Sequence, residues 1–274
     1  MEKINFFKMS GSGNDFIVID NRKRIVKEKN LKTFISKICR RRMSVGADGI
    51  ILVENAEGVD FKWRFYNADG SRAEMCGNGA RCVSRFAKLN RIAGSRMSFE
   101  TDAGIIDAEV VYTEVMIKIP DPTGLKLNDS LEINTGPISI SRVNTGVPHV
   151  VVEVDDIEEA QVVDVGRQIR YHEAFAPEGA NANFVSYDED GNLAVRTYER
   201  GVENETLACG TGAIAGAVIM ACKSKFPSPI RVKTRSGGFL MIHFKVKAGH
   251  FFDVSLQGDA RIIYRGELCE DAIK

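Results

Sequence analysis

Long apolar runs are missing from this chain. No stretch approaches the roughly 18 apolar residues that a membrane-spanning helix needs, which excludes a helical membrane protein. The opening Met1-Glu2-Lys3-Ile4-Asn5-Phe6-Phe7 lacks the apolar core of a secretory leader, so a cytoplasmic location is expected. An excess of either charge is missing too. Lys+Arg and Asp+Glu are both 37, a formal net charge of zero. That argues against nucleic acid or an anionic membrane as the main partner. Arg40-Arg41-Arg42 is a local exception and reads as a solvated face. The six cysteines (39, 76, 82, 209, 222, 269) show no C-x-x-C spacing, and the four histidines (149, 172, 243, 250) are scattered. A zinc site is therefore not expected, and cytoplasmic cysteines are expected to be reduced. No clear lysine motif for pyridoxal phosphate is present, and no cofactor is expected.

What is present is a repeat. The 274 residues are enough for two domains of ordinary size, and similar strings recur at a period near 133. Trp63-Arg64-Phe65-Tyr66-Asn67 matches Val195-Arg196-Thr197-Tyr198-Glu199. Met75-Cys76-Gly77-Asn78-Gly79-Ala80 matches Ala208-Cys209-Gly210-Thr211-Gly212-Ala213. Ala47-Asp48 is set against Ala182-Asn183, and Thr101 before Ala103-Gly104 against Thr234 before Ser236-Gly237. The order is the same in both halves. A period this long points to duplicated domains rather than a solenoid.

Within each copy, β-branched runs such as 16–19, 50–53 and 150–154 read as strands. A helix is expected after each of Cys76 and Cys209. The second, 213–223, is almost wholly apolar and reads as buried. Strands return at 96–100, 105–111 and 115–119, and again at 230–234, 239–246 and 251–256. The expected fold is α+β, with two pseudo-symmetric domains, each a curled, mostly antiparallel sheet around a central helix. The segment 120–124, with two prolines and a glycine, is the expected junction. The halves are then 1–121, with 261–274 packing back on it, and 122–260.

Each of Cys76 and Cys209 ends a strand-rich stretch and opens a helix through a Gly-x-Gly turn. The first N–H groups of a helix lack internal partners and carry the positive end of its dipole. Such a place suits a carboxylate and stabilises a cysteine thiolate. Two of them related by duplication suit stereoinversion: one thiolate removes an α-proton and the opposite thiol delivers a proton to the other face. The helix-start donors would stabilise the charge that develops on the carboxylate. The remaining cysteines have no counterpart in the other copy and read as packing residues. A thiol redox protein using a Cys76–Cys209 disulfide is the reading from a different class, and a non-catalytic binding protein is a third.

Several strings resemble the diaminopimelate epimerases: Gly11-Ser12-Gly13-Asn14-Asp15-Phe16, Gly46-Ala47-Asp48-Gly49, Phe65-Tyr66-Asn67-Ala68-Asp69-Gly70-Ser71, Met75 to Cys82, Tyr198-Glu199-Arg200-Gly201 and Glu205 to Gly212. The resemblance runs from residue 4 to about 260. It implies interconversion of LL- and meso-2,6-diaminopimelate, on the lysine and peptidoglycan precursor route. It implies Cys76 and Cys209 as base and acid, with His149 and Glu199 tuning catalysis. It places substrate contacts at Asn14, Asn67, Gly77, Asn78, Asn181, Glu199, Arg200, Gly210 and Thr211. Asparagine offers both donors and acceptors to a zwitterion, and arginine grips a carboxylate. Val147 stands where the family often has asparagine, and Gly49 where some members have glutamine. A two-cysteine racemase or isomerase of another small acid is the alternative. A homodimer is expected, as is common for cytosolic enzymes of this size.

Overall fold

A computed structural model describes residues 3–224 and 226–274. Met1 and Glu2, which open the stretch read for a leader, lie outside the described residues. The chain divides into two compact units, Met1–Ile117 with Gly258–Lys274, and Lys118–Gln257.

The first unit runs β1 (Asn5–Gly11), β2 (Asn14–Asp20), α1 (Leu31–Ile38), β3 (Gly49–Glu54), β4 (Phe61–Asn67), β5 (Arg72–Ala73), α2 (Gly77–Leu89), β6 (Arg96–Thr101), β7 (Gly104–Val111) and β8 (Glu114–Lys118). Ser12 and Gly13 join β1 to β2 with φ of 53° and 90°, the mirror-image turn whose twist suits a hairpin. The pairs β1–β2, β3–β4, β6–β7 and β7–β8 are antiparallel, while β2–β3 and β4–β6 are parallel. The runs Phe16–Ile19 and Ile50–Val53 are continuously apolar because both faces of β2 and β3 are covered. On one face lies α1, with Leu31, Ile35 and Ile38 buried at helical spacing. On the other lies α2, which touches β1, β2, β3 and also β7. A helix can meet both β1 and β7 only if the sheet curls around it.

The second unit repeats this plan. It runs β9 (Thr123–Ile133), β10 (Gly136–Asn144), β11 (Pro148–Glu153), α3 (Val162–Arg170), β12 (Asn181–Tyr187), β13 (Leu193–Glu199), β14 (Asn204–Thr206), α4 (Gly210–Ser224), β15 (Ile230–Thr234), β16 (Phe239–Lys247) and β17 (His250–Asp259). Again two pairs are parallel, β11–β12 and β13–β15, and the rest antiparallel. Helix α4 is buried from Gly212 to Ala221, as its apolar character on every side requires. It contacts β10 through β13 as well as β15 and β16, so this sheet curls as well. The chain then returns as β18 (Arg261–Glu267), which pairs antiparallel with β1 of the first unit. No helix among the described residues is long and apolar enough to cross a membrane.

The fold is α+β and sheet-dominated, in keeping with the expectation. It differs in detail. Each unit carries a second, amphipathic helix, α1 or α3, on the outer face of its sheet. The helices α2 and α4 start at Gly77 and Gly210, earlier than the expected apolar runs. Strand β9 begins at Thr123, inside the stretch read as a break; Gly124, with φ of 65°, lets the strand continue where another residue would be strained.

Candidate active site

In the first unit, Asn14 opens β2 and Asn67 closes β4; between them Gly49 of β3 pairs with Asn67 on one side and with Phe16, two residues past Asn14, on the other. Both asparagines thus sit at one end of the sheet. Cys76 is the N-cap of α2, in extended conformation (φ −150°, ψ 116°). Its thiol donates to Asn14 Oδ1 at 3.5 Å. Asn14 Nδ2 in turn donates to Asp48 Oδ2 at 2.6 Å. Asp48 and Asp15 are bridged by Arg41, and Lys8 pairs with Asp15 at 2.6 Å. Burial opposes ionisation of Asp15, but bonds to Arg41 and Lys8 win and hold its carboxyl below the usual range. The loop at Asn14 is therefore held by a lattice of charges. Asn67 Nδ2 donates to Ser71 Oγ at 3.0 Å.

Behind Cys76 lies Arg81, fully buried in the first turns of α2. It donates to Ser12 Oγ at 2.7 Å, Asn78 Oδ1 at 3.0 Å and the Asp259 carbonyl at 3.1 Å, and it forms no ion pair among the described residues. Asn78 thus turns its side-chain oxygen inward, toward Arg81. Sequence reasoning did not single out Arg81 or Ser12. The signal was there: Ile214 occupies the position matching Arg81 in the second copy, so the two strings differ by a buried cation.

In the second unit, Cys209 immediately precedes α4 and lies 3.5 Å from Thr211 Oγ1. Thr145, in the turn between β10 and β11, donates to the Thr211 carbonyl at 3.1 Å and ties that turn to the helix start. Val147 sits in the same turn. His149, Asn181 and Glu199 lie at one end of their sheet: His149 pairs with Asn181, and Asn181 adjoins the end of β13. Asn181 is buried and its Oδ1 accepts from the Arg200 N–H at 2.8 Å. Arg200 also donates to the Glu178 carbonyl at 3.1 Å. Burial pushes the Glu199 carboxyl up, against a smaller opposing effect from the Thr206 hydroxyl. His149 is fully buried; burial drives its pKa down to about 3, and the Arg200 guanidinium adds to the effect. The packing role read for the other cysteines fits Cys39 and Cys82, which are buried, with burial pushing the Cys39 thiol up to about 12 and Cys82 further; Cys222 is half-buried, and Cys269 is exposed and packs into no core.

The two helix starts rest on different beds. By strand register, Phe16, Ile51 and Phe65 of the first unit match His149, Asn183 and Thr197 of the second. Asn183 therefore corresponds to Ile51, and the pairing of Ala182-Asn183 with Ala47-Asp48 is out of register. A Cβ at Gly79 would meet the Ile51 methyl at 3.2 Å, the Trp63 ring at 3.4 Å and the Cys76 Cβ at 3.6 Å. One at Gly212 would overlap Asn183 Oδ1 and lie 2.9 Å from Thr197 Oγ1. Gly79→Ala is thus expected to leave stability nearly unchanged, since a methyl tip can move aside and alanine favours the helix. Gly212→Ala is expected to cost about 1–3 kcal/mol through overpacking. Urea unfolding of the two variants checks the contrast. Gly49 has its own reason: a side chain there would collide with the Phe65 ring and the Tyr66 carbonyl, both at 2.6 Å.

A sequence profile of the family described as diaminopimelate epimerase matches residues 6–119 and 141–263. The chain belongs to the diaminopimelate epimerase family. A diaminopimelate epimerase of Aquifex aeolicus (strain VF5) is 43% identical over 99% of this chain and 100% of its own. One of Hydrogenobaculum sp. (strain Y04AAS1) is 42% identical over 95% and 97%. The solved structure of a probable proline racemase from Agrobacterium radiobacter K84 is similar with a TM-score of 0.71, covering 97% of this chain and 93% of that one. Its sequence is only 14% identical, so that likeness concerns the fold.

Proposed function

We propose that this chain interconverts LL- and meso-2,6-diaminopimelate by a two-base route without a cofactor. The observation that carries the reading is the cysteine at the start of a helix in both units, Cys76 before α2 and Cys209 before α4, in a member of this isomerase family. One sulfur, as thiolate, takes the α-proton; the other, as thiol, returns a proton to the opposite face of the same carbon. In the reverse direction the roles exchange. The α-proton beside a carboxylate is weakly acidic, so the carbanion needs charge stabilisation. Backbone N–H groups of Gly77, Asn78, Gly210 and Thr211 supply it, because they are unpaired by the helix and preorganised.

Asn14, Asn67, Asn181 and Arg200 bind the two amino-acid ends of the substrate. Glu199, half-buried with its carboxyl pushed up by burial, suits a group that holds or passes a proton beside a thiol. His149 completes the set. The enzyme serves the lysine and peptidoglycan precursor route as a cytoplasmic homodimer, a state that sedimentation tests.

The test is proton exchange. Reduced protein is incubated with LL-diaminopimelate in D₂O, and the α-proton is followed by NMR. The expected result is loss of that signal with the meso isomer appearing and nothing else added. No exchange would make the substrate wrong, and other small amino and carboxylic acids would be tried next. Activation by dithiothreitol with no exchange into any of them would favour the redox reading.

A further inference from the structure

Asn183 of β12 is fully buried beneath the first turn of α4. Its side chain makes three contacts. Nδ2 donates to the Val150 carbonyl at 2.9 Å and lies 3.1 Å from His149 Nδ1, while Oδ1 accepts from the Thr197 hydroxyl at 2.9 Å. The Val150 carbonyl can only accept, so it fixes which end of the amide is nitrogen. The second hydrogen on Nδ2 then points at His149 Nδ1. That nitrogen must be a bare acceptor, since a proton on it would face another N–H. A neutral imidazole carries one proton, so the proton resides on Nε2. Nε2 is itself buried and has no hydrogen-bond partner among the described residues. A buried N–H left without an acceptor is costly, and such a donor is kept where something else fills its need.

We propose that Asn183 is a positioning residue, which holds His149 as the neutral Nε2–H imidazole so that it gives a hydrogen bond in the reaction and takes no proton. Asn183 and Thr197 are neutral. Arg200 beyond β13 disfavours a second positive charge on the ring. Lys126 of β9 and Arg142 of β10 line the same cavity of about 310 Å³ as His149, and both pair with Asp129, which offsets part of their charge. The first unit, with Phe16, Ile51 and Phe65 in the matching places, has no such device. A role for His149 in turnover rests on the epimerase reading; its tautomer does not.

The experiment is ¹⁵N NMR of histidine-labelled wild-type protein, with the His149 signals identified by their loss in His149→Phe. The expected spectrum shows an unprotonated Nδ1 and a protonated Nε2, unchanged between about pH 5 and 8, where an ordinary histidine titrates. A protonated Nδ1, or a ring that titrates in this range, would overturn the assignment. In Asn183→Asp the carboxylate accepts from Nδ1–H, so the proton moves to Nδ1 and Nε2 becomes basic. That variant is expected to lose about tenfold or more in kcat, the worth of one hydrogen bond, with KM changed less and a new limb near neutral pH in the kcat profile. An Asn183→Asp protein with an unshifted tautomer and profile would count against the proposal. Should the variant not fold, the wild-type spectrum decides alone. Should wild-type protein fail to epimerise diaminopimelate, the spectrum still tests the tautomer.

Discussion

Replacing Cys76 or Cys209 with alanine abolishes epimerisation, with a loss of about 10³-fold or more, the scale of one general acid–base group. In the proposed two-base route each sulfur serves one face of the α-carbon, so neither can stand in for the other. A protein with one thiol left can still take a proton and return it to the same face. Residual exchange in D₂O is therefore expected from only one stereoisomer in each variant, and from opposite isomers in the two. The fold survives both changes. Cys76 makes no side-chain bond that caps α2, and trimming one sulfur at a helix start falls near the ordinary effect of a point substitution, about 1 kcal/mol. Circular dichroism melts check the fold, and NMR in D₂O checks the chemistry. Turnover within tenfold of wild type in either variant would sink the two-base scheme.

Acid destabilises this protein through His149. Burial holds the folded-state pKa at about 3, against an ordinary value of 6.5. Between these values the unfolded chain binds a proton that the folded chain excludes. Stability is thus complete above pH 6.5 and is lost progressively as pH falls toward 3. By pH 4 the loss from this one group is about 3 kcal/mol, at roughly 1.4 kcal/mol per pH interval. His149→Phe copies the residue that the first unit uses at the matching place. It is expected to be less stable than wild type at pH 7.5, because Asn183 loses an acceptor, and to have a flatter pH dependence below 6.5. Urea unfolding from pH 7.5 to 4 measures both. Equal slopes in the two proteins would show that His149 titrates normally.

The duplicated core was legible because repetition reinforced weak signals. The strands at Ile50–Val53 and Phe61–Asn67 are dense in buried residues, and α4 is apolar throughout. The cysteines stood out as a matched pair. What escaped was the structure at the surface. In α1, Leu31, Ile35, Ile38 and the half-buried Phe34 hold the helix to the sheet and the other four residues are polar. Of the eleven residues of β9 only Leu131 is buried, so no alternation marks it. The same repetition also hid a difference. Asn183 reads in sequence as the partner of Asp48, two polar residues in similar strings. Strand register pairs it instead with the aliphatic Ile51, and the polar relay under α4 becomes visible only there. Arg81 was passed over for a related reason: its match, Ile214, breaks the repeat.

Strand β18 has a consequence for how the protein is made. Residues 261–267 leave the ribosome after all of the second unit, yet they complete the sheet of the first by pairing with β1. Until then the nascent chain presents β1 as an open edge, the kind of surface that recruits foreign strands. The second unit has its whole sheet in one uninterrupted stretch and can close during synthesis. The half that is translated first is thus finished last, and it is the one that needs shelter while the other folds.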